Sequence, residues 1–527
     1  MTKLVLWVAA LSLPLTTLAQ EFKLVHKTNF PVETRLKLLS ADRTNMLVGT
    51  TAEIAMMDAV NGKTLWTVNF KKDYGTKKAE EIYRVPRYGA ICMMVKNGGK
   101  GDAQEIYVDE RTGQKIDLKG RAEAVPQAGY SYVKTKTRSR NQVTDAGSNT
   151  VFDLDYERPD RVASSGKGRT TTATVVASGV INWKKTFPIS VIRPLCENTG
   201  GSEGFSGGDF ITMDKAGDVI FVIYEGITAL DSKTGDILWT TTLDNADFDF
   251  GLFRSRQTLG RAGMPTVTDN AVIIADLTKG KRAIKKLDIK TGQVLWQGEK
   301  LSDDVVVPQI EVTDGVVLVR QGGKLLTNAY IPGQSGNADV CKVEEKMVGD
   351  FNVIALDEAT GKELWRANAN KDLKDKFGGL ITNMLVEGGK VYVATDKFIH
   401  CLDPKTGKAS YSVAVSALKL GDPTELFEYK GKLMVEAEKG IAAIAIADGK
   451  VAYATSTGKN MGIFFKGENM FVWNVGDKEQ ATGFVRIDPE TGAIKGKSPK
   501  VYYAFFTADG NEFVKFDADR VYRYNVQ

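Results

Sequence analysis

The sequence predicts an all-β protein: a single closed β-propeller of four-stranded blades, eight blades or somewhat more, with loop insertions on one face. Three observations predict it. A short motif recurs along the chain as an apolar strand, a turn ending in Gly, and an outgoing strand. Its spacing is about 42 to 45 residues once insertions are removed, the size of one four-stranded blade. Between the copies lie short apolar runs, and no stretch has the period of an amphipathic helix.

The chain opens MTKLVLWVAALSLPLTTLAQ. One lysine precedes an apolar run from Leu4 to Leu15, and Thr17-Leu18-Ala19 places small residues where a signal peptidase reads. Residues 1–19 are therefore expected to be a secretory signal peptide, cut after Ala19 or Gln20, and residues 20–527 the propeller. The apolar run is too short to span a bilayer, and no later run is long enough. No cysteine lies near the cleavage point, so neither a membrane span nor a lipid anchor is expected. The chain has 70 Lys+Arg against 65 Asp+Glu, a net charge of +5 over 527 residues. That balance argues against a nucleic-acid partner. Only His26 and His400, and only Cys92, Cys196, Cys341 and Cys401, are available. Those counts exclude a CxxC zinc ribbon, a CxxCH haem site and a disulfide-dense scaffold.

The strongest copies of the motif are IAMMDAVNGKTLW (54–66), ITALDSKTGDILW (227–239), IKKLDIKTGQVLW (284–296), VIALDEATGKELW (353–365) and IHCLDPKTGKASY (399–411). Weaker copies occupy 106–116, 175–183, 444–453 and 485–494. Asp caps the turn by accepting from amides two residues on, and Gly takes the positive φ the turn needs. Four copies carry the full set: Asp58, Gly62 and Trp66; Asp231, Gly235 and Trp239; Asp288, Gly292 and Trp296; Asp357, Gly361 and Trp365. Of the six tryptophans beyond the leader, only Trp473 is not four residues past a motif glycine. Such an aromatic lies on the outgoing strand, where it can cover the seam to the next blade.

Two more strands per unit lie between the hairpins, among them VIFVIYE (219–225), AVIIAD (271–276) and KVYVAT (390–395). Past Lys500, VYYAFF, EFVKFD and RVYRYNV read as three strands that need a fourth. EFKLVHKTNF, at the start of the mature chain, can supply it and remove the free sheet edges. Three stretches break the rhythm: 134–172, polar and locally basic; 193–209, rich in Gly and Ser; and 321–350, between a second and a third strand. Connections between blades, and between second and third strands, leave a propeller on the same face, so these insertions are expected to cluster there. Cys196 and Cys341 lie in two of them, and in an oxidising compartment a disulfide between them is a candidate. Cys92 and Cys401 read as core residues.

The string L-D-x-x-T-G-x-x-x-W resembles the repeat of the PQQ-like β-propeller superfamily. That group contains quinoprotein alcohol dehydrogenases and the non-catalytic propeller of the outer-membrane protein assembly machinery. The resemblance covers nearly the whole mature chain and implies that the motif's Asp, Gly and Trp are structural. The dehydrogenases carry adjacent cysteines in a vicinal disulfide, and here no two cysteines are neighbours. Nor does the sequence display their calcium-binding set beside a catalytic Asp. The resemblance therefore points to the non-catalytic branch, located in the periplasm or at the outer membrane.

Other constellations are read as structural. Asp244, Asp247 and Asp249, and Asp153, Asp155 and Glu157, lack the spacing of a calcium loop and are taken as solvated loop carboxylates. No GxxxxGK[ST] or HExxH motif occurs. No catalytic, cofactor-binding or metal-ligating residue is assigned, and no cofactor is expected. The expected function is an exported, non-catalytic scaffold or adaptor that binds other envelope proteins, probed against a quinone-dependent dehydrogenase or a small-ligand or sugar-binding propeller.

Overall fold

The computed structural model describes the chain between residues 21 and 526, apart from 118–141, 157–168, 192–210, 243–256, 332–339 and shorter stretches between strands. The chain forms two compact units, one of residues 1–133 and 457–527 and one of residues 134–456. The described residues build ten antiparallel sheets, the size and topology of propeller blades. In chain order, sheets 1 and 2 span 36–69 and 79–116. Sheets 3 to 8 span 142–191, 212–242, 266–297, 309–366, 385–414 and 423–456. Sheet 9 spans 460–497, and sheet 10 joins the two ends of the chain. Sheets 1, 2, 9 and 10 make the first unit and sheets 3 to 8 the second. The ten sheets sharpen the expectation of eight blades or somewhat more.

The composition of each strand follows its place in its sheet. In sheet 4 the second strand, Val219–Ile223, is buried throughout, and so is all but the last residue of the third, Gly226–Asp231. Both faces of these strands are covered by neighbouring sheets, so they read as continuous apolar runs. One cluster joins Phe221, Val272, Ile284, Val317 and Ile354 across sheets 4 to 6. The outermost strands face solvent on one side and carry polar residues, as in Ile237–Thr242 (ILWTTT). The only helices among the described residues are single turns, Phe70–Tyr74, Val415–Leu418 and the 3-10 turn Ala367–Ala369.

Sheet 10 is assembled from both ends of the chain. Lys23–Asn29 pairs antiparallel with Arg520–Asn525, running from Lys23 opposite Asn525 to Asn29 opposite Arg520. Glu512–Phe516 and Ala504–Phe506 complete it. The residues just before the N-terminal strand also hold on to sheet 9, where the Phe22 amide donates to the Lys497 carbonyl at 3.0 Å.

Two insertions turn out to be sheet. Within 134–172, Gln142–Asp145 and Thr150–Tyr156 are the first two strands of sheet 3, and Arg169–Gly179 is its third. Polar strands with few apolar residues hid the first half of this blade, whose later hairpin is the copy at 175–183. Asp153 and Asp155 accordingly lie in a strand, not in a loop. The described residues of 321–350 are not a loop either. Val316–Ile331 and Val340–Asp357 continue past the blade as one hairpin, in register to Ile331 opposite Val340. A bulge between Gln321 and Gly323 marks where blade becomes arm, and Gln257–Thr258 adds a short parallel partner at Lys324–Leu325. The stretch 193–209, the leader, Glu157 and Asp244–Asp249 lie outside the described residues.

Candidate functional site

The motif residues converge on the seams between successive sheets. At each turn the Asp carboxylate accepts backbone amides: Asp231 Oδ1 from Lys233 and Thr234, Asp288 Oδ1 from Lys290 and Thr291, Asp357 Oδ1 from Thr360. The Thr291 hydroxyl, its amide and the Lys290 amide hold the Asp288 carboxyl below the usual carboxylate range, against the opposing effect of burial. Asp357 is lowered in the same way, first by the Thr360 hydroxyl. The glycine amide donates back to the Asp carbonyl, at 2.9 Å for Gly62 and Gly292 and 2.8 Å for Gly235 and Gly361. All four glycines have φ between 68° and 76°, the left-handed region that disfavours other residues.

The tryptophan then reaches into the next sheet. A β-bulge between third and fourth strands precedes the aromatic in sheets 1, 4, 5 and 6, placing Trp66, Trp239, Trp296 and Trp365 one residue out of simple register. Bulges re-aim side chains, and here the indole lies over the motif glycine of the following sheet. A Cβ on Gly292 would meet Trp239 at 2.6 Å, on Gly361 Trp296 at 2.5 Å, and on Gly113 Trp66 at 2.7 Å. Trp183 covers Gly235, Trp365 covers Gly407, and Tyr411 covers Gly449. Each ring also donates to the carbonyl just after the motif Asp position: Trp239 to Ile289 at 2.9 Å, Trp296 to Glu358 at 2.8 Å and Trp365 to Pro404 at 2.8 Å. Glycine is therefore required twice, for its φ and for the space beneath an indole. Sequence reasoning supplied only the first reason.

Inner clasps that sequence reasoning missed hold the same unit. The Gln309 amide donates to the Met384 carbonyl at 2.8 Å and accepts from the Met384 amide at 2.7 Å. Asn383 does the same to Leu426, at 2.8 Å in both directions. A side-chain amide here imitates a strand pairing between neighbouring sheets. The seam of sheets 5 and 6 is further tied by Lys286, nearly buried, whose ammonium meets Glu358 Oε1 at 3.0 Å.

The groups with chemical potential are otherwise committed. His400 and Cys401 are successive strand residues and so point to opposite faces. The His400 ring stacks on Phe377 and pairs with the Ser412 hydroxyl at 2.8 Å. Cys401 packs in the core between sheets 7 and 8, where burial pushes its thiol up, the opposite of what a nucleophilic cysteine needs. Cys92 is buried as well. Cys341 stands opposite Tyr330 in the arm, while Cys196 lies outside the described residues. A groove of about 670 Å³ opens beside Trp365. Its Arg366 is paired with Glu363, and its Asn370 donates to the Gly407 carbonyl. Among the described residues no cluster of three or more His, Cys, Asp or Glu could hold a metal ion, and no helix is long and apolar enough to cross a membrane.

A family model described as outer membrane protein assembly factor BamB matches residues 202–340 and 349–513, more than half of the chain. The chain belongs to the BamB family. Its PQQ-type repeat is thus placed, and the matched residues include the Asp231, Asp288 and Asp357 turns. No curated protein matches the chain significantly. Among solved structures, BamB from Moraxella catarrhalis is 16% identical over 82% of this chain and 98% of its own, with a TM-score of 0.29. A europium-containing methanol dehydrogenase is 13% identical over 80% and 85%, with a TM-score of 0.32. The Pan2 WD40 domain of Neurospora crassa is 10% identical over 60% and 88%, with a TM-score of 0.31.

Proposed function

We propose that the chain is an exported, non-catalytic β-propeller scaffold that binds other proteins of the cell envelope, in the periplasm or at the outer membrane. The observation that carries the proposal is the match of more than half of the chain to the BamB family. The seams support it, because the motif's Asp, Gly and Trp engage turn amides, carbonyls and one another. In this reading the repeat is framework, residues 1–19 are a removed leader, and the ten sheets close into one ring. The arm, the part of the Val316–Ile331 and Val340–Asp357 hairpin beyond the bulge at Gln321 and Gly323, is the natural contact element, since loops and extensions on a rigid scaffold are where binding residues collect. Cys196 and Cys341 are proposed to pair, fastening the arm to the segment that holds Cys196.

An absorption spectrum with and without added quinone and calcium, together with an affinity pull-down from native envelope, tests this reading. The scaffold reading expects no quinone band, no dye-linked alcohol oxidation, and recovery of a stoichiometric envelope partner. A bound chromophore with alcohol oxidation would replace it with the dehydrogenase reading.

A further inference from the structure

The residues that the fold uses begin next to the expected cleavage point. Glu21 makes a parallel bridge to Lys497. Phe22, only 7% exposed, packs on Phe484 and Phe513 with ring centroids 5.9 Å away in each case. Its amide donates to the Lys497 carbonyl at 3.0 Å, and Lys23 opens the strand that completes sheet 10. Only Gln20 separates Ala19 from this anchored segment. Trimming of a mature N-terminus past Glu21 would take Phe22 out of the seam of sheets 9 and 10.

The choice between the two cuts follows from what a signal peptidase reads, small residues in an A-x-A-like pattern ending at the cut. A cut after Ala19 presents Thr17 and Ala19 in that pattern, whereas a cut after Gln20 presents Leu18 and Gln20. The first cut fits. It leaves Gln20 as the N-terminal residue, joined to Glu21, which is exposed. A glutamine at a chain start differs chemically from one inside a chain, because its own carboxamide lies within reach of a free α-amine.

We propose that Gln20 is a modification site: after leader removal it closes to a pyroglutamyl lactam that caps the strand completing sheet 10. The α-amine nitrogen attacks the side-chain carbonyl carbon Cδ and forms the N–Cδ bond. The bond from Cδ to Nε2 breaks, and that nitrogen leaves as ammonia with the proton that the amine gives up. The step consumes no oxidant, metal or second substrate. An α-amine titrates at about 7.7–8.0, so near neutral pH a fraction of it is the neutral nucleophile the step needs. Both groups belong to one residue, which gives ring closure the advantage of an intramolecular reaction. The product has no α-amine and no terminal charge. An aminopeptidase that grips the α-ammonium then has no handle from which to work toward Phe22. The inference rests on reading residues 1–19 as a removed leader, and it is independent of what the propeller binds.

The test is intact-mass and N-terminal peptide mass spectrometry of the protein purified from its native envelope, with an amine-reactive label to report free α-amines. The chain should begin at residue 20, weigh one ammonia less than the free glutamine form, and leave its N-terminus unlabelled. Gln20→Asn keeps a carboxamide but is one methylene too short to close the same ring. Its N-terminus should take up the label about tenfold more than wild type. A chain that begins at residue 20 with a free glutamine amine would overturn the proposal and leave the leader reading standing, and so would a chain that begins at Glu21. A chain that still begins at Met1 would overturn both. A Gln20→Asn variant as unlabelled as wild type would show that the block is not the lactam, which also overturns the proposal.

Discussion

The seams of sheets 4 to 7 and the seam of sheets 9 and 10 solve one packing problem in different ways. In the first group one tryptophan per seam lies over one glycine and donates one hydrogen bond. In the second, Gly496 stands four residues past Gly492, where every other copy except the one at Gly113 has an aromatic. Phe22, Phe464, Phe471, Phe484, Phe506 and Phe513 fill that seam instead, with centroids as close as 4.7 Å for Phe471 and Phe506. The repeat can encode a seam with a motif because each copy meets the next copy. Sheet 10 is drawn from two distant segments, so its packing is written once, in residues that follow no period.

The comparison can be broken at several points. The largest effect is expected from deleting residues 21–30, which removes a strand of sheet 10 together with Phe22. Aggregation, or a loss of several kcal/mol in denaturant unfolding, should follow, because the last strand is left as an open edge. A monomeric deletion variant of unchanged stability would show that sheet 10 does not depend on the N-terminus.

A Cys196–Cys341 disulfide comes next. In the chain-entropy model a loop of about 145 residues (341 minus 196) contributes up to about 4–5 kcal/mol. Non-reducing peptide mapping should recover the two cysteines as one linked pair, and two alkylatable thiols would end the idea.

Trp296→Ala should cost about 3–5 kcal/mol, since it empties a buried site and leaves the Glu358 carbonyl without its indole donor. A melt within a degree of wild type would mean the seam is held by something else. Gly361→Ala should cost about 2–4 kcal/mol, from positive φ plus overpacking against the indole. Gly315 has a similar φ of 77° but nothing within 4 Å of its would-be Cβ, so Gly315→Ala should cost only about 1 kcal/mol.

The smallest effect is acid sensitivity. Asp288 and Asp357 have lowered carboxyl pKa values in the fold. Their contribution is therefore complete above the unfolded-state value of about 3.9 and is lost as pH falls through the lower folded value. Stability should be flat above about pH 5 and fall below about pH 4, and Asp288→Asn should flatten that fall. An unchanged slope in acid titration would remove the Asx turn from the account.

Much of this fold could be read from the sequence, for a physical reason. The turn needs an Asp acceptor and a Gly φ, the seam needs an aromatic at a fixed distance, and repetition made Asp231, Gly235 and Trp239 stand out together. The tail strands could be matched with EFKLVHKTNF because an unpartnered three-stranded edge is unfavourable. What escaped was of another kind. Gln309 and Asn383 are single polar residues without periodicity, and only their position on or beside first strands could have flagged them. In the first blade of the second unit the hairpin at 175–183 was recognised, but Gln142–Asp145, Thr150–Tyr156 and the start of Arg169–Gly179 were read as polar insertion because they carry few apolar residues. The arm was taken for a loop insertion because 321–350 breaks the rhythm of the repeat, whereas in the structure a bulge between Gln321 and Gly323 lets both strands run on.

The central claim is that the indole of one sheet and the glycine of the next are one device. A double-mutant cycle on Trp296→Ala and Gly361→Ala tests it most directly. With the indole gone, the steric part of the alanine's cost disappears and only the backbone part is left. Gly361→Ala should then cost about 1 kcal/mol in the Trp296→Ala background, against about 2–4 kcal/mol in the wild type. Equal costs in the two backgrounds would contradict the claim.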